Sequence, residues 1–388
     1  MCASALLALC ACPKRDLPRL PDGGVDRGPV IDSHTLITPV DESIDITLEL
    51  FKRVGVVKFC NKNGGYLGSR LFAATIHQKH RLKERFEFFV NPNWRGVDEP
   101  GWGQREADSL EQAVRWGARG IKFFKAMGLG ARDREGKLIA VDDPRYDPIM
   151  ERAAKINAIV AMHIGDPKAF FEPPTPQNER YDELKQAPDW SFYGGDYPPL
   201  LELLAARNRL IARHPKTTFL LIHVGNYPED LDHVSRTLER FPNVYTDTAA
   251  RVPEIGRKPP AEVRRFFLRW QDRIMFGTDL AIGPDHVQLG SVSEKPPTFD
   301  DAVEFYRRHY RYFETDDKDF DHPTPIQGRW KISGIKLPPE VLRKFYYDNA
   351  EKLIFKRAMG VPVVDPLEQP LPAPEPASAP APGSSPAQ

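Results

Sequence analysis

Cysteine is scarce in this 388-residue chain, and its placement rules out a stapled fold. Cys2, Cys10 and Cys12 crowd into the opening residues and leave Cys60 alone, so no disulfide framework spans the chain and no CxxC pair offers a zinc knuckle. Surplus charge is absent too. The 54 Lys+Arg balance 54 Asp+Glu, which argues against a nucleic-acid partner, whose phosphates call for a basic excess. No apolar run approaches the roughly 20 residues that a membrane-spanning helix needs. Nor does a glycine-rich phosphate loop follow the first predicted strand, which disfavours an open doubly wound sheet.

Proline, by contrast, is abundant at 38 residues, and it concentrates with Ala and Ser between Val361 and Gln388. That density removes backbone donors and forbids helix, so 361–388 reads as an extended, solvated tail and folded structure is expected to end near Met359. At the other end, Met1 to Cys12 has the apolar character of a short secretory signal, and Leu9-Cys10-Ala11-Cys12 resembles a bacterial lipobox. The resemblance implies lipidation at Cys12, with 1–12 as signal and 13–28 as a flexible tether. The protein would then sit in the cell envelope, meeting the membrane only through its lipid. The alternative is a cytoplasmic chain with a frayed start.

Hydrophobic residues at 41 % and charged ones at 28 % suit a globular core. Between the tails, short apolar runs alternate with amphipathic segments. Eight runs read as buried parallel strands: Val30 to His34, Val54 to Cys60, Phe86 to Val90, Gly120 to Phe124, Ala158 to His163, Thr218 to His223, Val244 to Asp247 and Ile274 to Asp279. Helical spacing is clearest over Asp108 to Trp116, Asp147 to Ile156 and Leu200 to Arg213. Eight such units predict an α/β fold, a (β/α)8 TIM barrel over 29–360, with extra C-terminal helices at Phe305 to Phe313 and Pro338 to Met359. Longer connections are expected after the first, fifth and eighth strands. The fifth, from Asp166 to about Pro198, carries Phe170, Phe171, Trp190, Phe192 and Tyr193, and is read either as a cover over a substrate or as a loop packed on itself.

Polar residues at strand ends carry the chemistry. A barrel brings the carboxyl ends of its strands to one rim, so His34, His163, His223 and Asp279 are expected to converge there. Imidazole nitrogen and carboxylate oxygen suit a divalent ion, Zn²⁺ first and Mn²⁺ second, and an open coordination position would activate water.

The stretch from Val30 to Met359 resembles the amidohydrolase superfamily, in particular its amidohydrolase-2 branch, a metallo-dependent hydrolase type that also includes non-oxidative decarboxylases. The resemblance rests on Ile31-Asp32-Ser33-His34, Gly117 to Lys122, Ala161-Met162-His163-Ile164-Gly165, Ile222-His223-Val224-Gly225, Asp272 to Asp279 and Asn349 to Leu353, in that order. It implies metal ligation by His34, His163 and Asp279. His223 is then a further ligand or a proton-shuttling catalytic residue, and Asp279 is the acid–base group at the activated water. One departure stands out. The branch carries His-x-His or Glu-x-His on the first strand, and this chain reads His34-Thr35-Leu36. Leucine cannot ligate.

Five further residues are candidates for substrate binding. Lys122 alternates with Ile121 and Phe123 and so points into the barrel, as an ion-paired lysine or, by the resemblance, a carboxylated metal bridge. Lys125 meets an anionic substrate or solvent, Asp166 orients His163, and Asp247 with Arg251 binds a polar substrate group or merely forms a cap or ion pair. His77, His80, His214, His233, His286, His309 and His322 are read as surface residues. The function so read is hydrolysis of a small polar molecule, with decarboxylation as one alternative and a degenerate ligand-binding barrel, motivated by Leu36, as another. A homo-oligomer is compatible with all three.

Overall fold

The computed structural model describes residues 27–364. Cys12, the signal and the tether up to Asp26 lie outside the described residues, as does the tail beyond Val364. All eight predicted strands form: β1 Val30–Ile37, β2 Val56–Asn61, β3 Phe86–Phe88, β4 Gly120–Phe123, β5 Ile159–Met162, β6 Thr218–Leu221, β7 Val244–Asp247 and β8 Ile274–Met275. A helix follows each: α1 Asp41–Val54, α2 Arg70–Leu82, α3 Trp102–Arg115, α4 Asp147–Lys155, α5 Leu200–Arg213, α6 Leu231–Arg240, α7 Pro260–Arg269 and α8 Phe299–Glu314. Local chemistry sets their ends. Acidic Asp41 and Glu42 open α1 and basic Lys52 and Arg53 close it, matching the helix dipole, before Gly55 turns the chain at φ +79°. Thr298 and Asp301 form a capping box that starts α8 earlier than its apolar spacing indicates.

Strands β1 to β3 pair in parallel, and so do β4 to β8. Backbone hydrogen bonds join the two groups at both seams. Val90 N donates to Gly120 O at 3.0 Å and Lys122 N to Val90 O at 2.7 Å; on the far side Ser33 N donates to Phe276 O at 3.0 Å and Asp279 N to His34 O at 2.9 Å. The result is the expected (β/α)8 barrel. Four short strands were not foreseen: β9 Leu280–Ile282 lies parallel to β1, β10 Val287–Leu289 turns back antiparallel on β9, and β11 Phe320–Asp321 pairs antiparallel with β12 Lys331–Ile332.

Side-chain alternation divides the interior. Ile31, Cys60, Phe89, Ile159, Leu220 and Met275 fill the barrel, closed from below by Ala350, Leu353, Ile354 and Phe355. A second, larger cluster packs the outward strand faces against the helices. The closing segment continues the helix Pro339–Arg343 through wider π turns at Lys344–Asp348 and Glu351–Phe355. Among the described residues no helix is long and apolar enough to cross a membrane.

Three expectations need correction. The first strand does not end at His34 but runs to Ile37, because β9 supplies a further partner, and only Thr38 to Val40 connect it to α1. Arg27, within the stretch read as tether, is fixed by Glu314 and lies 4.0 Å over the Tyr310 ring. His214, His309 and His322 are buried instead of exposed, each with a protein acceptor: Asp147, the Phe305 carbonyl and the Gly328 carbonyl.

Candidate active site

A layer of polar side chains sits on top of the apolar plug. Lys122 and Asp247 point inward from β4 and β7, as their alternation with Ile121 and Thr246 requires, and His34, His163, His223 and Asp279 join them from beyond the bulge in β1 and the ends of β5, β6 and β8. His34 is wholly buried. Its Nδ1 lies 2.9 Å from Asp247 Oδ2, which fixes the ring proton there and leaves Nε2 as an acceptor. That nitrogen is 3.1 Å from Lys122 Nζ and 3.2 Å from Asp279 Oδ1. His223 is held in the same way: Nδ1–H donates to Ala249 O at 2.8 Å, which leaves its Nε2 as an acceptor.

Ligand atoms of His34, His223 and Asp279 lie within 4.8 Å of one another. Asp279 Oδ1 is buried and has no hydrogen-bond donor, although it faces the His34 ring. Two acceptors 3.2 Å apart repel unless a cation lies near them; the Lys122 amine, 3.1 Å from the same His34 nitrogen, is one, and the spacing also suits two ligands of one ion bonded at roughly 2.0–2.2 Å. The donor set therefore fits a divalent metal. Orientation of each imidazole through its second nitrogen is the usual support for such a ligand.

The remaining predicted residues take different places. His163 stands outside the group of three; its Nε2 is 3.2 Å from Asp166 Oδ1, and its ring meets that of His223 with centroids 4.4 Å apart. Asp166 also receives Lys125 Nζ at 2.7 Å and lies 3.7 Å from Arg251. Asp247, with no exposure, takes the cap and ion-pair alternative: it accepts from His34 and from the backbone N–H of His223, each at 2.9 Å, and so braces two histidines of the polar layer. Lys122 points inward as expected, with Nζ 4.1 Å over the Phe124 ring.

Burial tunes the charges. It lowers Lys122 to about 7 and His163 to about 4, and it depresses His34 and, with the nearby cations, His223. Burial pushes Asp166 up, but Lys125, His163 and Arg251 outweigh it and hold the carboxylate well below its ordinary range. In Asp247 burial is likewise outweighed, by His34 and the His223 N–H.

Above this layer the cavity is walled by Phe124, Phe170 and Trp190, with Lys125 and Arg251 on the same side as Asp166. Phe170 and Trp190 stack at 6.2 Å and Phe171 meets Phe192 at 5.0 Å, so the long loop after β5 packs on itself while also lining the cavity. Leu36 lines the cavity at the position where the family pattern carries a second first-strand ligand. Glu183, Gln288, Ser291 and Gln327 also face the cavity, and fully buried Lys62 sits beside the polar layer with Nζ 3.8 Å over the Phe89 ring. The sequence reading missed all five. Lys62 had a signal, since it continues the inward alternation of Cys60; the others sit on elements too short to show a period, or, for Ser291, on a loop.

A parallel barrel with two histidines and an aspartate gathered on its carboxyl rim defines an enzyme with a candidate metal centre. The Amidohydrolase family model matches residues 93–356, and the chain belongs to the amidohydrolase family. His34 lies ahead of the matched stretch. No curated protein matches the chain. Among solved structures it is similar to an uncharacterized TIM-barrel protein from Bordetella bronchiseptica, at 14 % identity, covering 84 % of this chain and 98 % of that one with a TM-score of 0.49. A putative amidohydrolase from Staphylococcus aureus gives 15 % identity, 84 % and 99 % coverage and a TM-score of 0.47. Dihydroorotase from Saccharomyces cerevisiae in complex with 5-fluoroorotic acid gives 11 %, 85 %, 84 % and 0.45.

Proposed function

We propose that the protein is a divalent-metal-dependent hydrolase of a small, polar, anionic molecule. The observation that carries this reading is the orphaned Asp279 oxygen, which lies with ligand atoms of His34 and His223 inside 4.8 Å, a set that a divalent ion completes by taking the place of the Lys122 contact on His34 Nε2. His34, His223 and Asp279 would hold the ion, with His163 adjoining. A bound Zn²⁺ or Mn²⁺ supplies Lewis acidity and brings the pKa of water down toward about 7. Asp279 takes the proton of the attacking water and returns it to the leaving group. Lys125 pairs with Asp166, and Arg251 lies between Asp166 and Glu254; both cations also face the cavity, where they would meet an anionic group of the substrate. Phe170 and Trp190 shield that contact from water.

The same aromatic and cationic walls favour a second reading, non-oxidative decarboxylation of an aromatic carboxylate, with His223 or Asp279 delivering the proton. One assay separates the two. Purified protein is analysed for metal, stripped, reloaded with Zn²⁺ or Mn²⁺, and offered N-acyl and cyclic amides bearing a carboxylate alongside aromatic acids. About one ion per chain and metal-dependent amide cleavage are expected; CO₂ release without amide cleavage selects the decarboxylase. Metal-free protein with native fold removes both. For location we propose acylation at Cys12: Cys12→Ser is expected to leave the membrane fraction, and unchanged fractionation removes the anchor.

A further inference from the structure

Arg207, on α5, is buried to 1 % exposure, and among the described residues no carboxylate pairs with it. Burial alone lowers its pKa to about 9. A guanidinium in that position costs desolvation free energy that a methionine of similar length would not, so the fold must draw something from its hydrogen bonds. Nε and Nη2 donate to Asn208 Oδ1 at 3.1 and 3.0 Å. Nη1 donates to the Gly225 carbonyl and, at 3.5 Å, to Asn226 Oδ1.

That carbonyl belongs to an unusual piece of backbone. His223, Val224, Gly225 and Asn226 have φ of 58°, 53°, 68° and 61°, one turn of left-handed helix. L-residues resist this conformation, and β-branched Val224 most of all. Such strain persists only where the surroundings over-determine it. Here His223 N–H is held by Asp247 and Gly225 N–H by Thr246 Oγ1, while Asn226 Nδ2 reaches the Met162 and Ile222 carbonyls. These tie the turn to β5, β6 and β7. Arg207 holds it from the helix side.

We infer that Arg207 is a positioning residue for His223: its guanidinium, donating to the Gly225 carbonyl, holds the left-handed turn that aims the His223 ring at Asp279 and His34. The part that concerns metal rests on the reading given under Proposed function.

Arg207→Met and Arg207→Lys test it on the full chain by three measurements. These are Zn²⁺ affinity by chelator competition, the histidine imidazole ¹⁵N resonances of the metal-free protein, and thermal stability. Arg207→Met is expected to shift the His223 resonances and weaken Zn²⁺ binding by about 10- to 100-fold. Its melting temperature should stay level or rise, because an unpaired buried charge is gone. Arg207→Lys, keeping one donor, should fall between. Adding Val224→Gly relieves the strain and is expected to recover part of the lost affinity. Unchanged His223 resonances in Arg207→Met, or in Arg207→Lys where the methionine variant does not fold, overturn the inference. If His223→Ala leaves Zn²⁺ affinity untouched, the metal reading fails, while the resonance shift in metal-free protein still decides the role of Arg207.

Discussion

His34 Nδ1 and Asp247 Oδ2 are 2.9 Å apart in a pair from which solvent is excluded on both sides. The carboxylate fixes the tautomer of the ring and also caps the backbone N–H of His223, so one buried acid sets two prospective ligands. Asp247→Asn keeps the shape and loses the charge. Metal affinity is expected to fall about 10- to 100-fold with an unchanged circular dichroism spectrum. Chelator competition checks it, and wild-type affinity in the variant would refute the bracing role.

Leu36 lines the cavity floor on the same strand as His34. Leu36→His offers the ligand that the family pattern has there. Zn²⁺ binding is expected to tighten by about tenfold or more, equivalent to roughly 1.4 kcal/mol. The same pair of proteins tests the degenerate barrel. Turnover confined to the variant makes the natural chain a binder; turnover by the wild type ends that reading.

Lys125 and Arg251 are expected to recognise substrate charge. Arg251→Met should raise KM for a carboxylate substrate about 10- to 100-fold, the worth of a charge-assisted hydrogen bond, with kcat little changed. The neutral amide of the same substrate should be unaffected. Equal losses on both compounds would assign Arg251 to the scaffold.

His309 gives a pH signature away from the site. It is buried against Phe305, donates to that residue's carbonyl, and burial lowers its pKa from 6.5 to about 4. Between those values the unfolded chain holds a proton that the folded one does not, so unfolding takes up protons and stability falls as pH drops through the window. From pH 6.5 to 5 this group accounts for a loss of about 2 kcal/mol. Asp32, raised by burial to about 6, acts in the opposite sense, so the informative quantity is the difference between two proteins. Urea unfolding at pH 7.5 and 5.0 should show His309→Phe losing about 2 kcal/mol less than wild type. Equal losses would place the proton elsewhere.

The barrel was legible because parallel strands buried on both faces read as apolar runs, and all eight runs formed strands. His34, His223 and Asp279 were legible for the same reason, since strand polarity alone sends them to one rim. His163 reaches that rim yet turns to Asp166, a choice made by a loop contact three residues on. The β9–β10 hairpin was not legible: Gln288 and Ser291 reach the cavity from the excursion that follows β8, where no alternation marks an inward side. The seven remaining histidines were read as exposed from their position on helices and loops, but helix α8 buries His309 on its apolar face. Aromatic neighbours of a histidine at helical spacing, such as Phe305 and Tyr306, were the cue.

The plug formed by Ala350, Leu353, Ile354 and Phe355 has a consequence for how the protein is made. These residues are synthesised after every barrel strand, yet they seal the floor on which the first of those strands packs. A nascent chain that has emerged only as far as Asn349 therefore presents an open-ended tube, with Ile31, Cys60 and Met275 wet from below. Contacts of such long sequence separation are slow to form. Ribosome-bound chains arrested before Ala350 should be cleaved readily inside the barrel by protease, and chains released past Phe355 should resist. The site becomes rigid only once the ribosome has almost finished with the fold.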